Sequence, residues 1–196
     1  MSNPLIKKDK QYVILDTCII QYFGDKELAA CILNDLREAQ VAGYDFAISD
    51  FTFFELLDGA SLEKEKQRIA ALGGLSRYFV KKDILIVAAH LGCLYQQDSA
   101  HADIGDKIIA ATSILFNSII YTTNGRDYPR PFFNEIAKRY LKKHSKNGIE
   151  TTIASYFLIP DQSYINAKYL ERTSQTERNV VNDQIKQLEV NVTSAG

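Results

Sequence analysis

Residues 106–127 read DKIIAATSILFNSIIYTTNGRD, and this stretch decides the fold class. The stretch opens inside an alanine-rich helix pattern, an apolar strand pattern follows over 118–121, and a Thr-Thr-Asn-Gly turn leads to Asp127. A buried helix that runs directly into a buried strand is typical of α/β proteins. Burial does not explain the two carboxylates, because Asp is almost never fully buried unless it is paired or binds a ligand.

The same alternation of strand and helix patterns fills the preceding part of the chain. Strands are predicted at 12–15, 44–48, 84–87 and 118–121, and helices at 28–41, 50–57, 62–72, 88–97 and 103–116. Strands and helices that alternate with short links predict a parallel sheet covered by helices on both faces. We therefore expect a three-layer α/β/α fold whose central, mostly parallel sheet has about four or five strands.

The pattern changes after Pro131. A basic helix is predicted over 132–143 and a strand over 151–159, followed by a polar segment whose last residues, 191–196, are expected to be disordered. We place the boundary accordingly. Residues 1–133 form the core, and residues 134–196 form a C-terminal extension packed on the same domain.

Composition limits the class of protein. The chain has 196 residues, 46% of them hydrophobic, and a net charge of -1, so it can bury one core but has no basic surface overall. Nucleic acid would have to be held by a local patch. The three cysteines, Cys18, Cys31 and Cys93, form no C-x-x-C pair, which favours reduced thiols. No apolar run approaches ~18 residues and the first ten residues are polar, so we expect a cytoplasmic protein without a membrane segment.

Four acidic residues recur where an apolar strand ends or a helix begins: Asp16, Glu55, Asp106 and Asp127. Each has an ordinary alternative: a helix cap, an exposed helix face, helix-end electrostatics or a turn. Together they are better explained by a shared site, because the carboxyl edge of a parallel sheet gathers such residues. Converging carboxylates repel one another and imply a cation, and oxygen-only ligands favour Mg²⁺ or Mn²⁺.

Four segments together resemble the PIN-domain nucleases, in particular the VapC-type toxin ribonucleases. They are Asp16-Thr17, the segment SDFTFFEL over 49–56 that carries Glu55, Asp106-Lys107-Ile108-Ile109-Ala110-Ala111-Thr112, and Thr122-Thr123-Asn124-Gly125-Arg126-Asp127-Tyr128. Their order and spacing fit the family over about 12–133. The resemblance implies a PIN-like fold and metal-dependent cleavage of single-stranded or structured RNA. It also implies the toxin of a toxin–antitoxin pair, a homodimer, and an antitoxin that inserts into the acidic groove.

Roles for the site residues follow from the resemblance and from carboxylate chemistry. The metal ligands are Asp16, Asp106 and Asp127, and Glu55 is a ligand or orients the attacking water. Auxiliary roles fall to Asp103, a further carboxylate, and to Asn124 and Thr17, which orient ligands. A metal-activated water needs no Ser, Cys or His nucleophile.

Basic residues near the acidic segments are candidates for RNA phosphate contacts. They are Lys107, Arg126, Arg130, Lys138, Arg139, Lys142 and Lys143. The alternative is that these residues only form a charged surface exposed to solvent.

Two other functions fit part of the pattern. A haloacid-dehalogenase-like phosphatase also opens with a strand-end Asp, but it needs a second Asp two positions later, where this chain has Cys18. A PIN-like scaffold that binds RNA or protein without cleavage would not need all four acids.

Overall fold

The structure is a computed structural model that describes residues 11–58, 60–97, 101–144, 147 and 149–175. Its strands are β1 (Tyr12–Leu15), β2 (Asp45–Ser49), β3 (Ser76–Tyr78), β4 (Ile119–Thr122), β5 (Phe133–His144) and β6 (Glu150–Pro160). Its helices are α1 (Thr17–Gln21), α2 (Lys26–Val41), α3 (Asp50–Leu57), α4 (Leu62–Leu72), α5 (Lys82–Gln97), α6 (Ile104–Phe116) and α7 (162–175), with a 3-10 turn at Tyr22–Gly24.

The strands form one six-stranded sheet in the order β3-β2-β1-β4-β6-β5. The pairs β3–β2, β2–β1 and β1–β4 are parallel, whereas β6 runs antiparallel to both β4 and β5. Strand β1 lies in the parallel part and is buried along its whole length, as expected for a strand covered on both faces. Val13 and Leu15 pack with Leu28 and Ile32 of α2, and Ile14 points to the opposite face. The predicted α/β fold is confirmed, with six strands instead of four or five.

The predicted strand over 84–87 is wrong, because these residues lie in α5 and the third strand is β3. Their β-branched composition favoured a strand. The buried positions of α5, however, are Ile84, Ala88, Leu91 and Tyr95, which recur at helical spacing. The helical spacing of the buried residues therefore outweighed the strand preference of the individual side chains.

The predicted basic helix over 132–143 is also wrong, because this segment is strand β5. Its most buried positions, Phe133, Ala137 and Leu141, lie four apart and imitate a helix. A β-bulge between Glu135 and Ala137 shifts the register, so Phe133 lies on one face of the sheet and Ala137 and Leu141 lie on the other. The three residues therefore do not form a single buried face as they would in a helix.

The chain divides into two compact units, one reaching Asp161 and the other beginning at Gln162. The first unit includes residues 134–161, which we assigned to the C-terminal extension, because the β5–β6 hairpin completes the sheet. In the second unit, α7 carries an ion pair between Lys168 and Glu171. The predicted disorder over 191–196 lies outside the described residues. No helix in the described ranges is both long and apolar enough to cross a membrane.

Candidate active site

Asp16 follows the last residue of β1 and is buried, with 5% of its surface exposed. Leu15 pairs with Tyr121 of the parallel strand β4, so Asp16 and Thr122 end their strands side by side. The Thr122 hydroxyl donates to an Asp16 carboxylate oxygen at 2.6 Å, and the Cys18 thiol donates to the same oxygen at 3.4 Å. These donors fix one face of the Asp16 carboxylate.

Asp103 and Asp106 form a capping box at the N-terminus of α6. The backbone N–H of Asp103 donates to the Asp106 side chain at 3.3 Å, and the Asp103 side chain accepts from the backbone of Asp106. This arrangement satisfies two N–H groups of the helix end. Helix capping, left open by the sequence for this pair, therefore accounts for Asp103, which is exposed.

Asp127 lies in the turn after β4. Its carboxylate accepts a hydrogen bond from the Asn124 side-chain amide. The Asn124 backbone N–H in turn donates to the Thr122 hydroxyl at 2.9 Å, so the turn is connected to the residue that contacts Asp16. The structure thus supports the predicted orienting contact of Asn124 on a carboxylate.

The Asp106 and Asp127 carboxyl groups interact with each other, since a hydrogen bond with Asp106 is among the influences on the pKa of Asp127. Burial, together with the negative charges of Asp127 and Asp16, raises the pKa of Asp106 to about 7. Burial and the charge of Asp16 also raise the pKa of Asp127. Two carboxyl groups can hydrogen-bond only when one is protonated, so without a cation this pair retains a proton near neutral pH.

Glu55 lies on α3, on the other side of Asp16. Its carboxylate accepts from the Thr17 hydroxyl at 2.5 Å, as expected if Thr17 orients it. The close approach of α3 to the start of α6 requires Gly105. A Cβ there would lie 3.3 Å from a Glu55 carboxylate oxygen and 2.3 Å from the Phe51 ring.

The acidic residues meet without forming a closed cage. Within the ranges that the structure describes, no three His, Cys, Asp or Glu side chains approach closely enough to bind one ion. Asp106 and Asp127 are in contact, Asp16 acts on both through its charge, and Glu55 contacts Thr17. The donors are all oxygens, which matches the preference of Mg²⁺ and Mn²⁺.

Two buried tyrosine hydroxyls beside the acids, those of Tyr95 and Tyr128, have no hydrogen-bond partner among the described residues. Burial raises the pKa of both, and the charge of Asp106 contributes to both shifts. Both hydroxyls are therefore protonated donors. A buried donor without a partner costs ~1–3 kcal/mol, which is unusual for a purely structural position.

No protein-family model matches the chain. Over 117 residues it is 28% identical to Ribonuclease VapC19 of Mycobacterium tuberculosis, covering 59% of this chain and 91% of that protein. The resemblance to VapC-type PIN-domain proteins is confirmed.

One solved structure agrees in fold over about three-fifths of the chain. VapBC2 from Rickettsia felis, bound to a DNA fragment from its promoter, superposes with a TM-score of 0.52 at 21% identity, covering 60% of this chain and 91% of that one. A toxin–antitoxin complex from Klebsiella pneumoniae gives a TM-score of 0.48 at 24% identity, covering 61% and 92%. About two-fifths of this VapC-like chain lies outside each match.

Several of the predicted phosphate-binding residues are engaged in ion pairs. Arg139 contacts Glu38 of α2 at 3.0 Å, and Lys143 pairs with Asp25, the residue that caps α2. Two further pairs are Lys142 with Glu150 at 3.1 Å and Arg130 with Glu135 at 2.8 Å. Arg139 and Lys143 therefore attach the hairpin to α2, and the structure does not present them as a free basic patch.

The other predicted phosphate-binding residues have different surroundings. The Lys107 side chain packs against α5, where its Cδ would lie 3.5 Å from a Cβ added at Gly92. Arg126 is exposed and lines a groove of about 590 Å³ beside the Asp127 turn. The Lys138 ammonium lies over the Tyr140 and Tyr156 rings.

Three site residues were not predicted. Thr122, Tyr95 and Tyr128 contact or influence the acids, but no role was assigned to them. Thr122 had a detectable signal, since it ends a strand as Asp16 does. Tyr95 lies on α5, outside the four motifs, and no local pattern marked it.

Proposed function

We propose that this chain is a metal-dependent endoribonuclease and the toxin of a toxin–antitoxin pair. The observation that carries the proposal is the carboxyl pair Asp106–Asp127 beside the buried Asp16, which concentrates negative charge at the carboxyl edge of the sheet. The similarity to Ribonuclease VapC19 supports RNA as the substrate.

Asp16, Asp106 and Asp127 would hold Mg²⁺ or Mn²⁺. Such an ion supplies an activated water and stabilises negative charge on the scissile phosphate. Holding a cation would favour the ionised forms of Asp106 and Asp127. The buried Tyr128 hydroxyl, which has no hydrogen-bond partner among the described residues, would be available to donate to a group bound there.

The chain's own residues supply orientation. Thr122 holds Asp16, Asn124 holds Asp127, and Thr17 holds Glu55. Glu55 is exposed, so it can reach a water or a substrate oxygen while its other carboxylate oxygen stays bound to Thr17. Arg126, also exposed, is placed to contact a phosphate that enters the groove.

Cleavage of single-stranded RNA by the purified protein tests this function. We expect cleavage with Mg²⁺ or Mn²⁺, none with excess EDTA, and none in Asp16→Asn or Asp106→Asn. The matched control is Asp83→Asn, an exposed aspartate in the first turn of α5, which should cleave as the wild type does. Activity in EDTA would contradict the proposal. RNA binding without cleavage would identify the scaffold, and metal-dependent hydrolysis of a phosphate monoester alone would identify the phosphatase.

We propose further that an antitoxin covers an apolar groove of about 720 Å³ on the first unit. The groove is lined mainly by Leu15, Ile20, Phe23, Leu33, Leu36, Leu56, Leu72 and Leu75. Leu15 precedes Asp16 and Leu56 follows Glu55, so the groove is lined by the same elements that carry two of the acids.

A small protein encoded beside this gene is the partner to test. Leu33→Lys should abolish its co-purification, and Leu85→Lys, an equally exposed leucine on α5, should not. Equal capture by both variants would contradict the groove as the docking site. Homodimerisation stays a prediction of the resemblance, and sedimentation would test it.

A further inference from the structure

One face of the β5–β6 hairpin carries Lys138, Tyr140 and Tyr156. Lys138 is paired directly with Tyr156, and Tyr140 follows two residues later on β5, so the three side chains point the same way. The opposite face carries Ala137 and Leu141. That face is covered by α2, with which Leu141 shares the core.

The three side chains form a ladder of two rings and one cation. The Lys138 ammonium lies 5.4 Å from the centroid of the Tyr156 ring and 5.6 Å from that of Tyr140. Tyr140 is 58% exposed and Lys138 is exposed. None of the ion pairs found among the described residues includes Lys138, whereas Arg139 next to it is held by Glu38. Lys138 and Tyr140 are thus open to solvent and Tyr156 is half-buried, on a hairpin whose other face packs against α2.

This ladder continues directly from the candidate active site. Tyr156 is paired with Thr122, the residue that donates to Asp16. Its ring packs against Gly125, where a Cβ would lie 3.2 Å from the ring. Gly125 belongs to the turn that presents Asp127, so the ring supports that turn and also faces the groove beside it.

We propose that Tyr156 and Tyr140 stack nucleobases of single-stranded RNA, and that Lys138 binds a phosphate between them. The inference rests on the proposed ribonuclease function and names a part of its substrate site that lies on the added hairpin. Aromatic side chains stack bases of any sequence, and interleaved basic groups follow the backbone. Tyrosines on adjacent strands at diagonal positions stand ~7–8 Å apart, so they can receive neighbouring bases.

Single-stranded RNA suits this surface better than a protein segment does. The surface carries a cation beside two rings, and its inner ring, Tyr156, is paired with Thr122, which hydrogen-bonds to Asp16. A protein interface of useful stability would need a larger contiguous apolar area. The apolar groove described above offers such an area on different residues.

The test separates base stacking from phosphate binding. Binding is measured by fluorescence anisotropy with the full chain carrying Asp16→Asn, in Mg²⁺, so that the RNA stays intact. The probes are a labelled single-stranded RNA that the wild type cleaves, and the same RNA with abasic nucleotides on one or the other side of the cleavage point. Tyr140→Leu and Tyr156→Leu are compared with Phe116→Leu, an exposed ring at the far end of α6.

We expect each tyrosine variant to weaken binding of the complete RNA about 5- to 100-fold. The same variant should bind the RNA that lacks bases on the contacting side as tightly as the protein with tyrosine does. Tyr140→Phe should bind as tyrosine does, because the ring is retained. Lys138→Gln should weaken both RNAs and reduce the log-log salt slope by about 0.7. Phe116→Leu should change nothing.

Two results would overturn the inference: tyrosine variants that bind complete RNA normally, or that lose equal affinity for complete and abasic RNA. Tyr140→Leu guards against misfolding, because its side chain is largely exposed. Cleavage by the wild type distinguishes failure of the stacking inference from failure of the proposed ribonuclease function. If Mg²⁺-dependent cleavage occurs and the tyrosine variants bind normally, only the stacking inference fails. If the wild type does not cleave RNA, the proposed function itself fails.

Discussion

The proton shared by Asp106 and Asp127 makes stability depend on pH. In the unfolded chain Asp106 has an ordinary pKa of 3.8, whereas in the folded, metal-free protein its pKa is about 7. A group with a raised folded pKa binds its proton more tightly in the folded state. Its contribution is therefore fully present below about pH 4 and is lost as the pH rises towards 7.

Asp106→Asn should therefore raise the melting temperature of the metal-free protein at pH 8 and leave it nearly unchanged at pH 4.5. Part of the repulsion is screened by solvent, so we expect a gain on the order of 2–4 °C, which corresponds to about 1 kcal/mol in a chain of this size. Thermal melts in EDTA measure it, with Asp83→Asn as the control. An equal gain at both pH values would show that repulsion is not the cause.

Thr122 is the second residue with a clear expected effect. Thr122→Val keeps the shape but removes the 2.6 Å hydrogen bond to Asp16, and a buried bond to a charged group contributes ~1.5–3 kcal/mol. Thr112→Val is the matched control. Thr112 is equally buried, but its hydroxyl donates only to the backbone carbonyl of Ile108 in the same helix, at 2.7 Å. In urea unfolding at pH 7, we expect the Thr122 variant to lose more. Equal losses would contradict its role beside Asp16.

At this scale the sequence identified the carboxylates and missed their partners. Asp16, Asp106 and Asp127 were recognisable because each interrupts an apolar pattern or follows one. Thr122 and Tyr95 act across the sheet or from another helix, so their roles depend on strand register and packing, which no local pattern encodes.

Two helical glycines should respond oppositely to the same substitution. At Gly105 an added Cβ would lie 2.3 Å from the Phe51 ring, so Gly105→Ala should separate α3 from α6 and destabilise the protein by ~1–3 kcal/mol. At Gly92, inside α5, the nearest atom is Lys107 Cδ at 3.5 Å, an ordinary contact. Gly92→Ala should therefore stabilise by up to ~1 kcal/mol.

Urea unfolding of both glycine variants checks the pair. Phe51→Leu in the Gly105→Ala background should recover part of the loss, because it removes the clashing ring atoms. Destabilisation by Gly92→Ala, or tolerance of Gly105→Ala, would contradict the helix packing described.

Helices and strands were predictable where the apolar residues followed a single spacing, either helical or alternating. The helix over 62–72 agrees with α4 at both ends. Strand β5 was taken for a helix because its most buried residues, Phe133, Ala137 and Leu141, lie four apart, although the bulge places Phe133 on the face opposite the other two. A bulge depends on pairing with β6, so its effect appears only when the partner strand is known.

The sheet as a whole should depend on the hairpin. A chain ending at residue 133 would leave the buried strand β4 as an open edge and remove Phe157, which stacks on Tyr121 at 4.3 Å between centroids. We expect this truncation to be insoluble, since an apolar edge strand pairs with other chains. A chain ending at residue 161 retains all six strands and should stay soluble with a cooperative melt. A soluble, cooperatively melting 1–133 chain would contradict this.

The overall class followed from sequence, whereas the extent of the sheet did not. Alternating strands and helices indicated the parallel part. The hairpin was hidden because its charges resemble a basic helix, and their partners on α2, such as Asp25 and Glu38, lie more than a hundred residues away in the chain.

The pairing of β4 with β6 also sets an order of events during synthesis. Strand β4 leaves the ribosome first, and about 40 residues must be added before the end of β6 can cover its edge, which takes ~2–8 s at ~5–20 residues per second. During that interval Ile120 and Tyr121 lie on an unfinished strand of a nascent chain. A chaperone can bind the uncovered apolar strand during this period. Nascent chains on neighbouring ribosomes of one message can also pair through this edge.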